Sequence, residues 1–268
     1  MKRLVAGPWV GEFGWELMSW QGYLRAVAPQ YDEVVVCAPG GHELLYADFR
    51  TQYITYDHPG VKDCWWTRRG TADHTNINRM LAPLGEWLRP SHIVPIGEQA
   101  FVPFGDASKG RPADVLVHAR AAIGTRPGHA WPEERWAILV QGLLKHGLTV
   151  AAIGTAAACP AGAEDRRGML LSSLVNDIAA AGVVIGPSSG PLHLASLCRT
   201  PHLVWTDRLW YSAIRADNRK RYEELWNPLH TPCRVIDAYG WEPQPDVILK
   251  ETLRYLDSVR RLANAHCA

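Results

Sequence analysis

Short unbroken apolar runs alternate along this chain with longer stretches whose apolar residues recur every three or four positions. The runs "KRLVAG", "DEVVVCAP", "QYITYD" and "SHIVPIG" in the first hundred residues predict strands, and unbroken runs of this kind suit a parallel sheet buried on both faces. Between them, "WELMSWQGYLRAVA" places Leu17, Trp20, Leu24 and Val27 on one helical face, and "GHELLYADF" and "NINRMLAPLGEWL" read as further helices. The Pro/Gly/charged segment "GEQAFVPFGDASKGRP", residues 97–112, reads as a linker. The alternation then restarts. "ADVLVHA", "LTVAAIG", "VVIG" and "PHLVW" predict strands. "WPEERWAILVQGLLKHG", with Pro132 suited to a first turn, "SSLVNDIAAAG" and "PLHLASLC" predict helices, and "DVILKETLRYLDSVRRLA" reads as a long amphipathic one.

Two successive sets of β/α units predict an α/β protein of two Rossmann-like, doubly wound domains facing each other across a cleft, residues 1–100 and 113–240, followed by a C-terminal helix over 245–264. Ligands of such sheets bind beyond the carboxyl ends of the strands. The stretch "VVIGPSSGPLHLASL" therefore stands out. It leads from a strand to a helix through two glycines, two prolines and two serines, more than a turn requires, and a helix N-terminus favours an anion.

Composition narrows the choice of partner. With 28 Lys and Arg against 27 Asp and Glu in 268 residues, no net field steers the chain toward nucleic acid or an anionic membrane. The six cysteines form no CxxC pair, which argues against a zinc site or a disulfide framework and for reduced thiols in a cytoplasm. The first apolar run breaks at Gly7-Pro8, too soon for a signal-peptide core, and no stretch approaches a membrane span. Twelve tryptophans are many for this length, and indole faces stack on sugars and bases as well as on each other.

"VLVHARAAIGTRPGHAWPEERW", "LTVAAIG" and "DIAAAGVVIGPSSGPLHLASLCRTPHLVW" occur in the order and at the spacing of the heptosyltransferase-like, family-nine-like glycosyltransferases, which this half of the chain resembles. The first half matches more weakly, through a Gly-acid pair after the first strand. The resemblance implies a compact GT-B fold and a metal-independent, inverting transfer of sugar from a nucleotide-sugar donor to an acceptor hydroxyl on a glycan or glycolipid precursor. It implies no cofactor besides that donor, which the second domain holds while the first holds the acceptor.

On that basis Ser188, Ser189, Gly190, Pro191 and His193 are candidate diphosphate contacts. Arg120, Thr125, Arg126 and His129 in the loop after the second domain's first strand join them. No Asp-x-Asp motif is present to carry a metal instead. The family has Asp where this chain has Ser188, and Lys near His129. Met169 and Leu170 are candidate walls for the nucleoside. Glu12 and Glu16 are alternative general bases for the acceptor hydroxyl. Trp65, Trp66, Arg68 and Arg69 combine rings and cations suited to an acceptor, including a hydroxylated base in DNA. An epimerase or hydrolase of nucleotide sugars, and a protein that only binds them, are the other readings. A capped helix with a packed histidine is the plain alternative for the serine-rich knot.

Overall fold

The computed structural model describes residues 1–56, 75–90, 94–120, 130–155, 157–208 and 217–266. The chain forms two compact units, Met1–Phe101 and Val102–Ala268.

In the first unit, β1 (Arg3–Ala6) leads into α1 (Phe13–Trp15), a π-helical turn over Glu16–Trp20, and α2 (Gln21–Val27). β2 (Glu33–Ala38), β3 (Gln52–Thr55), α3 (Thr75–Leu81) and β4 (Glu86–Leu88) follow. The four strands are all parallel, in the order β3-β2-β1-β4, with Val5 opposite both Val35 and Trp87. Val5, Val35, Cys37, Ile77 and Leu81 form the core under this sheet. β1 ends at Gly7, whose φ of +115° and close approach to the Cys37 carbonyl leave no room for a Cβ.

The second unit comprises β5 (Ala113–Val117), α4 (Glu133–Lys145), β6 (Val150–Ala152), β7 (Glu164–Asp165) and α5 (Leu171–Ala179). β8 (Ala181–Pro187), α6 (Gly190–Leu197), β9 (His202–Trp205), α7 (Asn218–Glu224), β10 (Cys233–Ile236) and α8 (Pro245–His266) complete it. Its six-stranded sheet is parallel, in the order β10-β9-β8-β5-β6-β7. α4 buries Trp136, Leu139, Val140 and Leu143, spaced as one helical stripe, and Glu133 and Glu134 complement the dipole at its start. Trp131 stacks on Trp205 in this core and Trp136 packs tilted against both, with ring centroids 4.8–5.5 Å apart. No helix among the described residues is long and apolar enough to cross a membrane.

Several elements depart from the pattern-based expectation. Residues 41–49 carry only a 3-10 turn, Glu43–Tyr46, in place of a full helix. The helix expected over 76–88 stops at Leu81. Its last three residues are instead the strand β4, because Pro83 and Gly85 break the helix and Glu86–Leu88 complete the sheet beside β1. Of the strand expected at 91–97, residues 91–93 lie outside the described residues, and Ile96–Glu98 is a 3-10 turn. β7 and β10 were too short or too polar to register as apolar runs. Pro132 is the residue before α4 rather than its first position.

The segment read as a linker is fastened to the second unit over residues 104–112. The Phe104 amide donates to the Leu197 carbonyl, and the Asp106 amide to the Asn176 side chain. Buried Asp177 accepts from the Arg111 amide and pairs with the guanidinium groups of Arg111 and Arg166. Gly110 lies so close to α5 that a Cβ would stand 2.0 Å from the Asn176 carbonyl oxygen. Gly110→Ala is therefore expected to cost about 2 kcal/mol through overpacking, read as a lower denaturation midpoint with an unchanged m-value.

Candidate functional site

Each sheet has one place where the strand order reverses, and there the connections leave in opposite directions and uncover the carboxyl ends. In the second unit this is the gap between β5 and β8. β5 delivers His118 and Arg120 to it, and β8 delivers Ser188 and Ser189, followed at once by α6.

Ser189 stands at the N-cap position of α6 in extended conformation, yet its hydroxyl does not cap the helix. The hydroxyl donates to the Pro187 carbonyl at 2.9 Å and lies 2.9 Å from His118 Nδ1. With its single proton on Pro187, Ser189 Oγ accepts from the imidazole, which assigns the Nδ1–H tautomer to His118. Burial, reinforced by the nearby Arg120, pushes the His118 pKa down to about 3, so the ring is neutral. Gly154, at φ +115°, makes room for that ring, since a Cβ there would meet His118 Cδ2 at 2.7 Å. The Ser189 carbonyl accepts from the Leu192 and His193 amides. Pro191 has no amide hydrogen to satisfy, and α6 carries no acidic residue in its first turn.

Ser188 is held from three sides. Its amide donates to the Trp205 carbonyl, Arg120 Nη1 donates to its carbonyl at 3.2 Å, and the buried Tyr222 hydroxyl donates to its Oγ at 3.2 Å. His193, on the first turn of α6, packs its ring against Tyr222 and Trp226 at centroid distances of 5.5 and 5.0 Å. Its Nδ1 is buried without a hydrogen-bond partner among the described residues, and burial, with His202 and Arg120 adding to it, lowers its pKa to about 3. At neutral pH His193 is thus an uncharged imidazole and not a cation. Met169 is half-buried with its sulfur 3.1 Å from Arg111 Nη2, and Leu170 is exposed just ahead of α5. Thr125, Arg126 and His129 lie outside the described residues.

In the first unit the order reverses between β1 and β4, and both acidic candidates follow β1, Glu12 in the loop and Glu16 in the π turn beyond α1. They differ in surroundings. Glu12 is half-buried at the N-cap position of α1, where its carbonyl accepts from the Trp15 and Glu16 amides. Glu16 opens the π turn and is 0% exposed. Its Oε1 accepts from the Tyr46 hydroxyl at 2.6 Å, and its Oε2 lies 2.7 Å from His42 Nδ1. Burial, with the Glu16 charge adding to it, holds the Tyr46 hydroxyl well above its ordinary pKa, so it remains a donor. Trp65, Trp66, Arg68 and Arg69 lie outside the described residues.

Sequence reasoning had not singled out His118, Tyr222, His42 or Tyr46. A signal for two of them existed: His118 directly follows the buried run of β5, and His42 lies a few residues after β2, both where strand ends present side chains to a ligand.

No protein-family model matches the chain, and neither does any curated protein. Solved structures do. A family 9 glycosyl transferase from Veillonella parvula aligns over 96% of this chain and 97% of its own, with a TM-score of 0.61 and 11% identity. The E. coli ADP-heptose LPS heptosyltransferase II aligns over 96% of this chain and 99% of its own, with a TM-score of 0.58 and 18% identity. The E. coli heptosyltransferase WaaC with ADP aligns over 95% of this chain and 100% of its own, with a TM-score of 0.57 and 12% identity. The chain has the heptosyltransferase fold. Its two parallel sheets with their helices are the α/β architecture of GT-B-like glycosyltransferases.

The neutral histidines of the second unit make stability depend on pH. His118, His193 and His202 titrate at about 3, 3 and 4 when folded, against 6.5 for an exposed imidazole. The unfolded chain therefore binds more protons below pH 6.5. Stability is complete above that value and falls as the pH drops toward the folded pKa values, by about 1.4 kcal/mol per imidazole per pH unit. Chemical denaturation at pH 7.5 and 5.5 is expected to differ by about 4 kcal/mol, and His202→Gln is expected to flatten the slope.

Proposed function

We propose that the protein is a metal-independent, inverting glycosyltransferase, moving a sugar from a nucleotide-sugar donor to the hydroxyl of a glycan or glycolipid precursor. The observation that carries this reading is the convergence of Arg120, Ser188 and the first turn of α6 on the reversal point of the second sheet. Breaking the anomeric C–O bond puts negative charge on the departing diphosphate, and that charge needs a cation and oriented dipoles. Arg120 brings a guanidinium that is permanently charged, and the helix adds the positive end of its dipole and the amide of Gly190. These groups supply the stabilisation that a divalent ion supplies elsewhere.

Ser188, in place of the aspartate expected there, keeps a carboxylate away from the diphosphate. The Tyr222 hydroxyl and the Arg120 guanidinium fix its two oxygens, so the residue presents backbone and dipole rather than charge. At the reversal point of the first sheet the acidic pair Glu12 and Glu16 supports acceptor activation. Direct attack by the activated hydroxyl on the anomeric carbon inverts its configuration. The ADP in two of the structural neighbours' names makes ADP the first nucleotide to try here.

Thermal-shift titration with ADP, UDP, GDP and dTDP is expected to raise the melting temperature with at least one of them. Arg120→Ala should weaken that ligand about 10-fold to 100-fold, the worth of a charge-assisted hydrogen bond, and leave the free nucleoside unaffected. Ser188→Asp should weaken it in the same direction by like-charge repulsion. Absence of a shift with all four nucleotides overturns the donor site.

A further inference from the structure

We propose that His118 is a positioning residue of the donor site: it draws the Ser189 hydroxyl away from the N-terminus of α6 and so keeps the first turn of that helix open for a diphosphate. This rests on the transferase reading above and assigns what keeps its anion site clear.

A serine at an N-cap position ordinarily turns its oxygen onto the amide of the second or third helical residue. Ser189 has the extended backbone that a cap needs. Pro191, second in α6, has no amide hydrogen, so Leu192 carries the one amide that a cap could take. The hydroxyl nevertheless makes no cap. It is held 2.9 Å from the Pro187 carbonyl and 2.9 Å from His118 Nδ1. Pro187 takes its proton, and His118 engages the oxygen as an acceptor, the role a cap would require of it. A neutral hydrogen bond and a serine cap contribute comparably, so the partner that reaches Oγ decides its rotamer.

The consequence lies at the helix start. A capping oxygen and a bound anion occupy the same place, over the first-turn amides. With Ser189 turned to His118, no side-chain oxygen caps that turn, and no acidic residue stands in it. His193, on the same turn, is more than nine-tenths buried and keeps an Nδ1 with no protein partner among the described residues. The helix start is thus left unsatisfied in two ways, where an ordinary structural helix would be closed.

The fold fixes His118 for this task. Its amide donates to the Ile185 carbonyl, one step beyond the β5–β8 pairing, which roots the side chain beside the end of β8. Two glycines make room for it. A Cβ on Gly186 would stand 3.2 Å from the His118 Cβ, and one on Gly154 would stand 2.7 Å from its Cδ2. The neutral ring has no charge to offer a phosphate, and its Nδ1–H is spent on Ser189.

The test is calorimetric titration with ADP and with inorganic pyrophosphate, which lacks the nucleoside. His118→Leu and His118→Gln remove the donor at Nδ1, and each is expected to weaken both ligands about 5-fold, the worth of a serine cap that the anion must now displace. His118→Asn, whose side-chain amide reaches the Nδ1 position, is expected to rescue the affinity. In a Ser189→Ala background no hydroxyl is left to cap, and there His118→Leu is expected to change affinity by less than about 2-fold. A merely structural histidine would weaken binding in both backgrounds. Equal losses in the two backgrounds overturn the proposal, as do full affinity in His118→Leu and His118→Gln or failure of His118→Asn to rescue.

Hydrogen exchange at the Leu192 amide, followed by NMR without ligand, reads the cap directly. Exchange about 5-fold slower in His118→Leu than in the wild type, and not in His118→Leu/Ser189→Ala, supports the proposal, and exchange indifferent to residue 118 overturns it. If neither ligand binds the wild type while that exchange pattern holds, the transferase reading fails and the positioning of Ser189 by His118 stands.

Discussion

An all-parallel sheet cannot be wound in one direction only and still have both faces covered, so somewhere the chain must return to its first strand and continue the other way. In the second unit that return falls between β5 and β8, and the carboxyl ends there are left without a crossover above them. Everything placed at the candidate donor site follows from it. His118 and Arg120 stand there because β5 ends there, and Ser188 and Ser189 because β8 ends one strand away. The first unit repeats the constraint between β1 and β4, with the acidic pair after β1. Gly7 and Gly154, each at φ +115°, are the backbone concessions that let neighbouring groups approach these ends.

The two ends solve opposite electrostatic problems. Near Arg120 the imidazoles of His118 and His193 are buried and neutral, so neither adds a positive charge beside the guanidinium. In the first unit a carboxylate is buried, and it keeps its place through a hydroxyl and an imidazole, one for each oxygen. Burial removes charge in one case. In the other, hydrogen bonding retains a polar group that burial alone would reject.

The strands buried on both faces were legible in the sequence because nothing but an unbroken apolar run meets that demand: "VVVCA", "VLV" and "VVIG" all lie in β2, β5 and β8. β4 was misread because Trp87 and Leu88 extend a helical spacing that only Pro83 and Gly85 contradict. The π turn left no trace, since one inserted residue does not change which side chains are apolar. The serine-rich knot was legible as a place but not as a set of partners. Ser189 is engaged by His118, 71 residues earlier, and Glu16 by residues 26 and 30 positions later. Such pairs are decided by sheet order, which local pattern does not carry.

The tryptophans have a consequence of their own where three of them meet. Trp131, Trp136 and Trp205 bring the start of α4 and the end of β9 into one aromatic cluster in the core of the second unit. Indoles this close exchange excitation and couple their transitions. The near-ultraviolet circular dichroism of the chain therefore carries an intrinsic contribution from that core beside the one from the stacked Trp9 and Trp20 of the first unit, an optical gauge that needs no attached dye.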